Sequence, residues 1–367
     1  MKHGIAGLAA AVLVASTAVS AVATPGDRVE REEKRSVDAS GKKELSVKNA
    51  RGRTVVVGKD GLSSVSIVIN RSAQGRDRED AEDLLDNLEV VIGERGDAVT
   101  VETRDDRATN NGLWSYVKGE RRNAWVDYTI EVPRNFKVAA ATTSGEVRIS
   151  NIEGDASVGA TSGEIDVRAV GGDADVSITS GDVTVAEIGG GLELSATSGD
   201  VIVDKVGGKL ELQGTSGDFK VTRIGGDVSA RLSSGDFTLE GCSGNVTFDA
   251  SSGDVSITEV TGGINASTSS GGIEVLIVPT RDRSFQLSSS SGDIRVHYVP
   301  VKDYGFQLDV KTASGSIEGD LPIKVSRVDR RRLQGVVGSG AAHVDIETAS
   351  GDVTILERSE SASTRDR

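Results

Sequence analysis

The residues of this 367-residue chain best suited to chemistry are carboxylates at a fixed interval. Asp182, Asp200, Asp218, Asp236 and Asp254 stand 18 residues apart, and Glu146, Glu164 and Asp293 belong to the same column. Stacked in register, they form a carboxylate ladder with a spacing of about 4.8 Å, along which like charges repel. One chemistry for such a ladder is a calcium-binding edge. Known calcium solenoids, however, use a G-G-x-G-x-D-type nonapeptide with two converging turns of ligands, and this sequence lacks it. The other chemistry is local: Ser and Asp side chains hydrogen-bond turn amides, which these residue types favour. Turn chemistry is the expectation, with the five aspartates kept as the calcium alternative. No catalytic, cofactor-binding or metal residue is assigned.

Other reactive groups are few. The single cysteine, Cys242, occupies the column of Ile152, Val170, Ile188, Val206, Ile224 and Val260, which predicts a buried, inert thiol. With one cysteine no intramolecular disulfide forms. Beyond the N-terminal segment only His297 and His343 remain, in separate irregular stretches, and no G-x-S-x-G, H-E-x-x-H, P-loop or C-x-x-C occurs. The chain is therefore expected not to be an enzyme and to carry no cofactor. Thr161, Thr179, Thr197, Thr215, Ser233, Ser251 and Ser269 form a hydroxyl column, but a turn serine and a glycine follow each, not the T-x-T ranks of an ice-binding face. Arg95-Gly96-Asp97 falls between two predicted strands, where Gly-Asp suits a tight hairpin. Trp114 and Tyr116 lie in a polar loop, residues 104–123, and are expected to pack back onto the sheet; exposed, the pair would grip a sugar or a peptide.

The elements that position these groups follow from glycine. Gly145, Gly163, Gly181, Gly199, Gly217, Gly235, Gly253 and Gly271 are each 18 residues apart, with a second glycine nine residues after most of them, from Gly154 to Gly262. After each first glycine the second and fourth residues are apolar, as in Val183 and Val185 or Phe219 and Val221, and the residue between them is free. That is the period-2 pattern of a half-exposed strand. A coil is thus two short strands joined by two glycine turns, and fixed self-similarity marks a solenoid. A hexapeptide β-helix of the acyltransferase kind also has 18 residues per coil. It needs an apolar residue every sixth position, where this chain has Glu153, Gly171, Gly189, Gly207 and Gly225, so that class is excluded. The fold class is all-β, a parallel β-solenoid of 18-residue, two-strand coils. Right-handed coiling is expected from the general handedness of parallel crossovers.

In chain order, residues 1–23 read as a secretory signal peptide: Lys2 and His3, an apolar run, then Ala21-Val22-Ala23. Residues 24–36 read as a flexible charged lead. Residues 37–141 read as a β-rich N-terminal cap with one helix, Asp77 as its N-cap and Ala81, Leu84, Leu85 and Leu88 on its apolar face. The regular solenoid is assigned to 142–278 and irregular C-terminal coils to 279–357. The later turns there are Gly292, Gly315 and Gly351, and Val-Pro…Phe-Gln segments start at 278 and 299. Arg327–Arg332 is a basic patch read as a solvated loop, and 358–367 reads as a disordered tail. A net charge of −14 argues against nucleic acid and anionic lipid. No second apolar run reaches membrane-spanning length, so no span is expected in the mature chain.

Three passages resemble a known family: the repeated TSGDV-type turns, V-P-R-N-F at 132–136 and IETASGDVTIL at 346–356. They are similar to a bacterial adhesin-like family of unknown function built from repeated β-strands, over roughly residues 40–357. The resemblance implies a surface or periplasmic β-solenoid, with some relatives tied to envelope stress, and offers no catalytic residues to transfer. The expectation is an exported, non-enzymatic binding or scaffolding module of the cell envelope, periplasmic or at the cell surface, whose partner is an envelope protein or polysaccharide. A carbohydrate-active enzyme using a carboxylate pair on one strand face is the alternative from another class, and a calcium-dependent structural solenoid is a third.

Overall fold

The computed structural model describes residues 17–23, 28–105 and 123–358. It is all-β apart from one helix and forms two compact units, Met1–Gly163 and Glu164–Arg367. The expected boundary at 141/142 thus lies inside the first unit. The cause is a coil the broken repeat concealed. Strands Glu44–Arg51 and Thr54–Lys59 turn at Gly52 and pair in parallel register with Lys137–Ser144 and Val147–Ile152. The region 37–141, expected to be a cap, therefore contains a coil of the solenoid itself, separated in sequence by residues 60–136.

In the first unit one sheet runs Thr17–Ala23, Arg28–Asp38, Ser64–Gln74, Asn123–Pro133, Thr54–Lys59, Val147–Ile152 in space; its first four strands are antiparallel, and the rest join in parallel. The expected flexible lead is, from Arg28, an eleven-residue strand paired along its whole length with Ser64–Gln74. Its sequence hides the alternation because only Val29 and Val37 are buried. The charges between them are neutralised by neighbours, Arg28 with Glu30, Lys34 with Glu32, Glu33 with Arg35 and Arg71, and Arg31 with Asp86. The backbone of 17–23 pairs beside this strand, while 1–16 of the signal segment and 359–367 of the tail lie outside the described residues.

The helix is Arg78–Asp86, capped by Asp77, whose carboxylate accepts the Asp80 N–H at 2.9 Å. Ala81 and Leu85 are buried. Leu88 is buried too, but as the first residue of the next strand, Leu88–Arg95, because the helix ends at Asp86.

In the second unit the columns read from sequence become register partners. Val183, Val201, Phe219, Phe237, Val255 and Ile273 are consecutive neighbours in one sheet. Leu192, Leu210, Val228, Val246 and Ile264 are neighbours in the other. These residues are buried and fill the space between the sheets. Large residues from one side meet small ones from the other: a Cβ on Gly214 would lie 2.2 Å from Phe219 Cζ. The Phe237 and Phe248 rings stack across the core at 4.8 Å.

Past Gly271 the coils do not stack in sequence order. Strand Ser284–Ser291 pairs with Ala342–Ser350, which pairs in turn with Phe306–Ser314. The turn order in space is therefore Gly271, Gly292, Gly351, Gly315. The last coil of the chain is thus inserted between two earlier ones. The basic patch is not a loop. Ile323–Asp329 and Arg332–Val337 form a hairpin that pairs antiparallel against Phe306–Ser314 and closes the sheet. Its outer strand carries a register shift between Val325 and Arg327, with Lys324 and Arg327 alongside, devices that discourage further edge pairing.

Candidate functional site

The first-turn aspartates are exposed, and each does the same work. Asp182 Oδ1 accepts the backbone N–H of Asp200 at 3.0 Å, and Asp200 that of Asp218 at 3.0 Å. Asp218 accepts from Asp236 at 3.2 Å, Asp236 from Asp254 at 2.9 Å, and Asp254 from Gly272 at 2.7 Å. Asp293 and Asp352 continue the series onto Asp352 and Ser316. Each carboxylate thus satisfies an amide of the next coil that the turn would otherwise leave to water. The five aspartates are brought into one line, but among the described residues no three His, Cys, Asp or Glu side chains are grouped to hold a metal ion. Gly272 interrupts the line and leaves a shallow cleft of about 360 Å³, bordered by Asp254, Glu274, Asp293 and Arg295.

A second ladder was not recognised in the sequence, although its signal is present as Asp or Asn after the second glycine. Asp173 Oδ1 accepts the Gly191 N–H at 2.8 Å, Asp227 that of Asn245 at 2.7 Å, and Asn245 that of Gly263 at 2.9 Å. Gly263 brings no side chain, and the 278–283 excursion lies beside it. The result is a cleft of about 440 Å³ lined by Asn245, Thr247, Asn265, Arg281, Arg283 and Gln286, with Asp282 and Ser284 also on its wall. The two Val-Pro segments are related in structure as in sequence: each turns at an aspartate with positive φ, Asp282 at 60° and Asp303 at 65°, and each sends a phenylalanine into the core.

The remaining candidates are dispersed. Cys242 is buried between Ile224 and Val260, and its thiol donates to the Gly226 carbonyl at 3.3 Å. Burial pushes the thiol pKa up, against a smaller opposing effect of the Gly244 backbone. His297 and His343 sit on different sheets, His297 Nε2 lying 3.4 Å from Glu274 Oε1. Gly96 and Asp97 form the hairpin turn between Leu88–Arg95 and Ala98–Asp105. Trp114 and Tyr116 lie outside the described residues. The Thr161 column is exposed, and the hydroxyls that reach turn carbonyls stand one residue earlier, as Ser289 to Gly271 and Thr348 to Gly292. Asp204 is held below the usual carboxylate range by hydrogen bonds from Arg223 and then Thr222.

A family model described as Toastrack DUF4097 matches residues 43–255 and, overlapping, 208–356. Among solved structures the chain is similar to a candidate cell adhesion protein from Clostridium sporogenes ATCC 15579, with 11% identity, 90% of this chain and 100% of that one covered, and a TM-score of 0.21. A candidate adhesin from Parabacteroides merdae ATCC 43184 gives 10%, 90% and 96%, with a TM-score of 0.29. No curated protein matches the chain.

Proposed function

The chain belongs to the Toastrack DUF4097 family, and from that premise we propose that it is an exported, non-enzymatic, adhesin-like module that binds or scaffolds components of the bacterial cell envelope. One observation carries the reading: the five aspartates from Asp182 to Asp254 each hold a backbone amide of the next turn through Oδ1, a structural task repeated coil after coil. What is left to meet a partner is the outward side chains and the clefts where the repeat breaks. Parallel in-register stacking supplies the rigid frame. Export rests on the N-terminal segment, Lys2 to Ala23. The partner in this reading is an envelope protein or polysaccharide.

The test has two arms. Cell fractionation of a C-terminally tagged full-length chain is expected to find it outside the cytoplasm, shortened at its N-terminus. Purified mature protein is expected to sediment with isolated envelope material and not with envelope-free controls. A cytoplasmic, full-length product without envelope binding would refute the proposal. Turnover of envelope glycans would show an enzyme instead.

A further inference from the structure

We propose that the cleft beside Gly263 is a binding site for a carboxylated sugar, such as a uronic acid unit of a polysaccharide. The inference rests on the binding-module reading and names its ligand class. The floor is open because Gly263 contributes no side chain, and its own N–H is already taken by Asn245. One wall is the 278–283 excursion, with Arg281 exposed and Arg283 half-buried. Arg283 Nε donates to Thr280 Oγ1 at 3.2 Å, which fixes the side chain by one nitrogen. Neither arginine forms an ion pair with a described residue. Two guanidinium groups on one short segment of an otherwise acidic chain present the planar fork that matches a carboxylate bidentately. Asp282 stands between them, so the local excess is a single positive charge, suited to one carboxylate better than to a doubly charged phosphate.

The sheet face that lines the same cleft supplies sugar chemistry. Thr247, Asn265 and Gln286 are register neighbours on the outward face of one sheet, about 4.8 Å apart. All three are exposed. Each amide offers a donor and an acceptor together, the pairing a sugar hydroxyl requires. A volume of about 440 Å³ falls within the range of small-ligand pockets.

The experiment uses the full mature chain, oligogalacturonate as the carboxylated probe and its fully methyl-esterified form as the neutral one, with binding measured by titration calorimetry. The free acid is expected to bind at least about tenfold more tightly than the ester. Arg281→Gln with Arg283→Gln should abolish that preference, while Asn265→Ala should weaken both forms, with melting profiles confirming that the variants fold. Equal binding of acid and ester, or an unaffected double variant, would overturn the site. Inorganic phosphate or acetate competing as well as the oligomer would remove the sugar part of the claim. Envelope material still bound by the double variant, with no oligogalacturonate binding by the parent, would sink this site and leave the binding-module reading standing. Loss of envelope binding by the parent itself would remove that reading.

Discussion

Gly199→Ala should damage the solenoid far more than Gly241→Ala, although both glycines have positive φ in the same unit. Gly199 has φ +123°, outside even the left-handed pocket that L residues enter. An added Cβ would lie 2.0 Å from the Gly181 carbonyl oxygen and 2.6 Å from its carbon. Those atoms are backbone of the adjoining coil, so relief requires the coils to separate. Separation strains the Gly181 N–H to Ser198 bond and the Asp200 N–H to Asp182 bond. Backbone strain of about 1–3 kcal/mol and two weakened hydrogen bonds at about 1 kcal/mol each give a loss of roughly 3–5 kcal/mol before any residual overlap. Gly241 differs: φ is +85°, and the nearest atom to a new Cβ is 3.6 Å away. Its column is occupied elsewhere by Asn151, Ala169, Glu187, Lys205, Arg223 and Glu259, all at φ 53–60°. Alanine there should cost about 1 kcal/mol, the left-handed penalty alone. Urea unfolding followed by far-ultraviolet circular dichroism reads the difference as a midpoint shift at constant slope. Equal shifts for the two variants would refute the claim that coil-to-coil backbone contact, and not positive φ, makes the first-turn glycine obligatory.

Other expectations follow from the same contacts. Asp218→Asn should be close to neutral, because an amide oxygen still accepts the Asp236 N–H as Asn245 does for Gly263, whereas Asp218→Ala should cost about 1 kcal/mol. Calcium with and without chelator should leave the parent's melting midpoint unchanged; a rise with calcium that Asp200→Asn abolishes would make the ladder a metal site. Asp309 is held below the usual carboxylate range: burial, its largest single influence, pushes up, but Arg332, Gln334 and Lys311 together outweigh it. A carboxyl depressed in the folded state adds stability above its unfolded value near about 3.9 and loses it as pH falls through the folded value. Asp309→Asn should therefore destabilise at pH 7 and differ less from the parent at low pH, and a pH-independent difference in urea midpoint would count against the ion pair. Cys242 should resist a thiol reagent until the chain unfolds, and Cys242→Val should lie within about 1 kcal/mol of the parent, since Val260 fills the adjoining position of the same column; rapid labelling of the native protein would contradict the burial.

The regular coils were legible because each apolar column had only one way to be paired. A one-residue slip would turn every inward valine outward, so the 18-residue step fixed register as well as fold. Two features escaped for a physical reason. The coil around Gly52 belongs with Gly145 in space, but residues 60–136 intervene, and a sequence period cannot bridge an insertion. The order Gly292, Gly351, Gly315 escaped because stacking is decided by which strands pair best on both edges, not by chain order. Ala342–Ser350 and Val353–Glu357 are long enough to pair on two sides. The coil of Gly315 continues only into the three-residue strand Ile317–Gly319, which lies at the end of its sheet, where one partner suffices.

The candidate site was harder to read, and the reason bears on function. Regularity attracts attention to the aspartate ladder, yet regularity is what a structural role predicts: the coils from Asp182 to Asp254 carry the same acceptor for the same orphan amide of the next turn. A single bound sugar unit does not need the same groups in every coil. Groups that meet it should stand where the repeat loses a side chain or gains residues, and Gly263 with the inserted 278–283 segment does both at one place. There Asn245 still serves the backbone, while Asn265, Gln286 and Arg281 are free to serve something else. In this solenoid the exact repeats hold the coils together, and the departures from repetition are where recognition has room to occur.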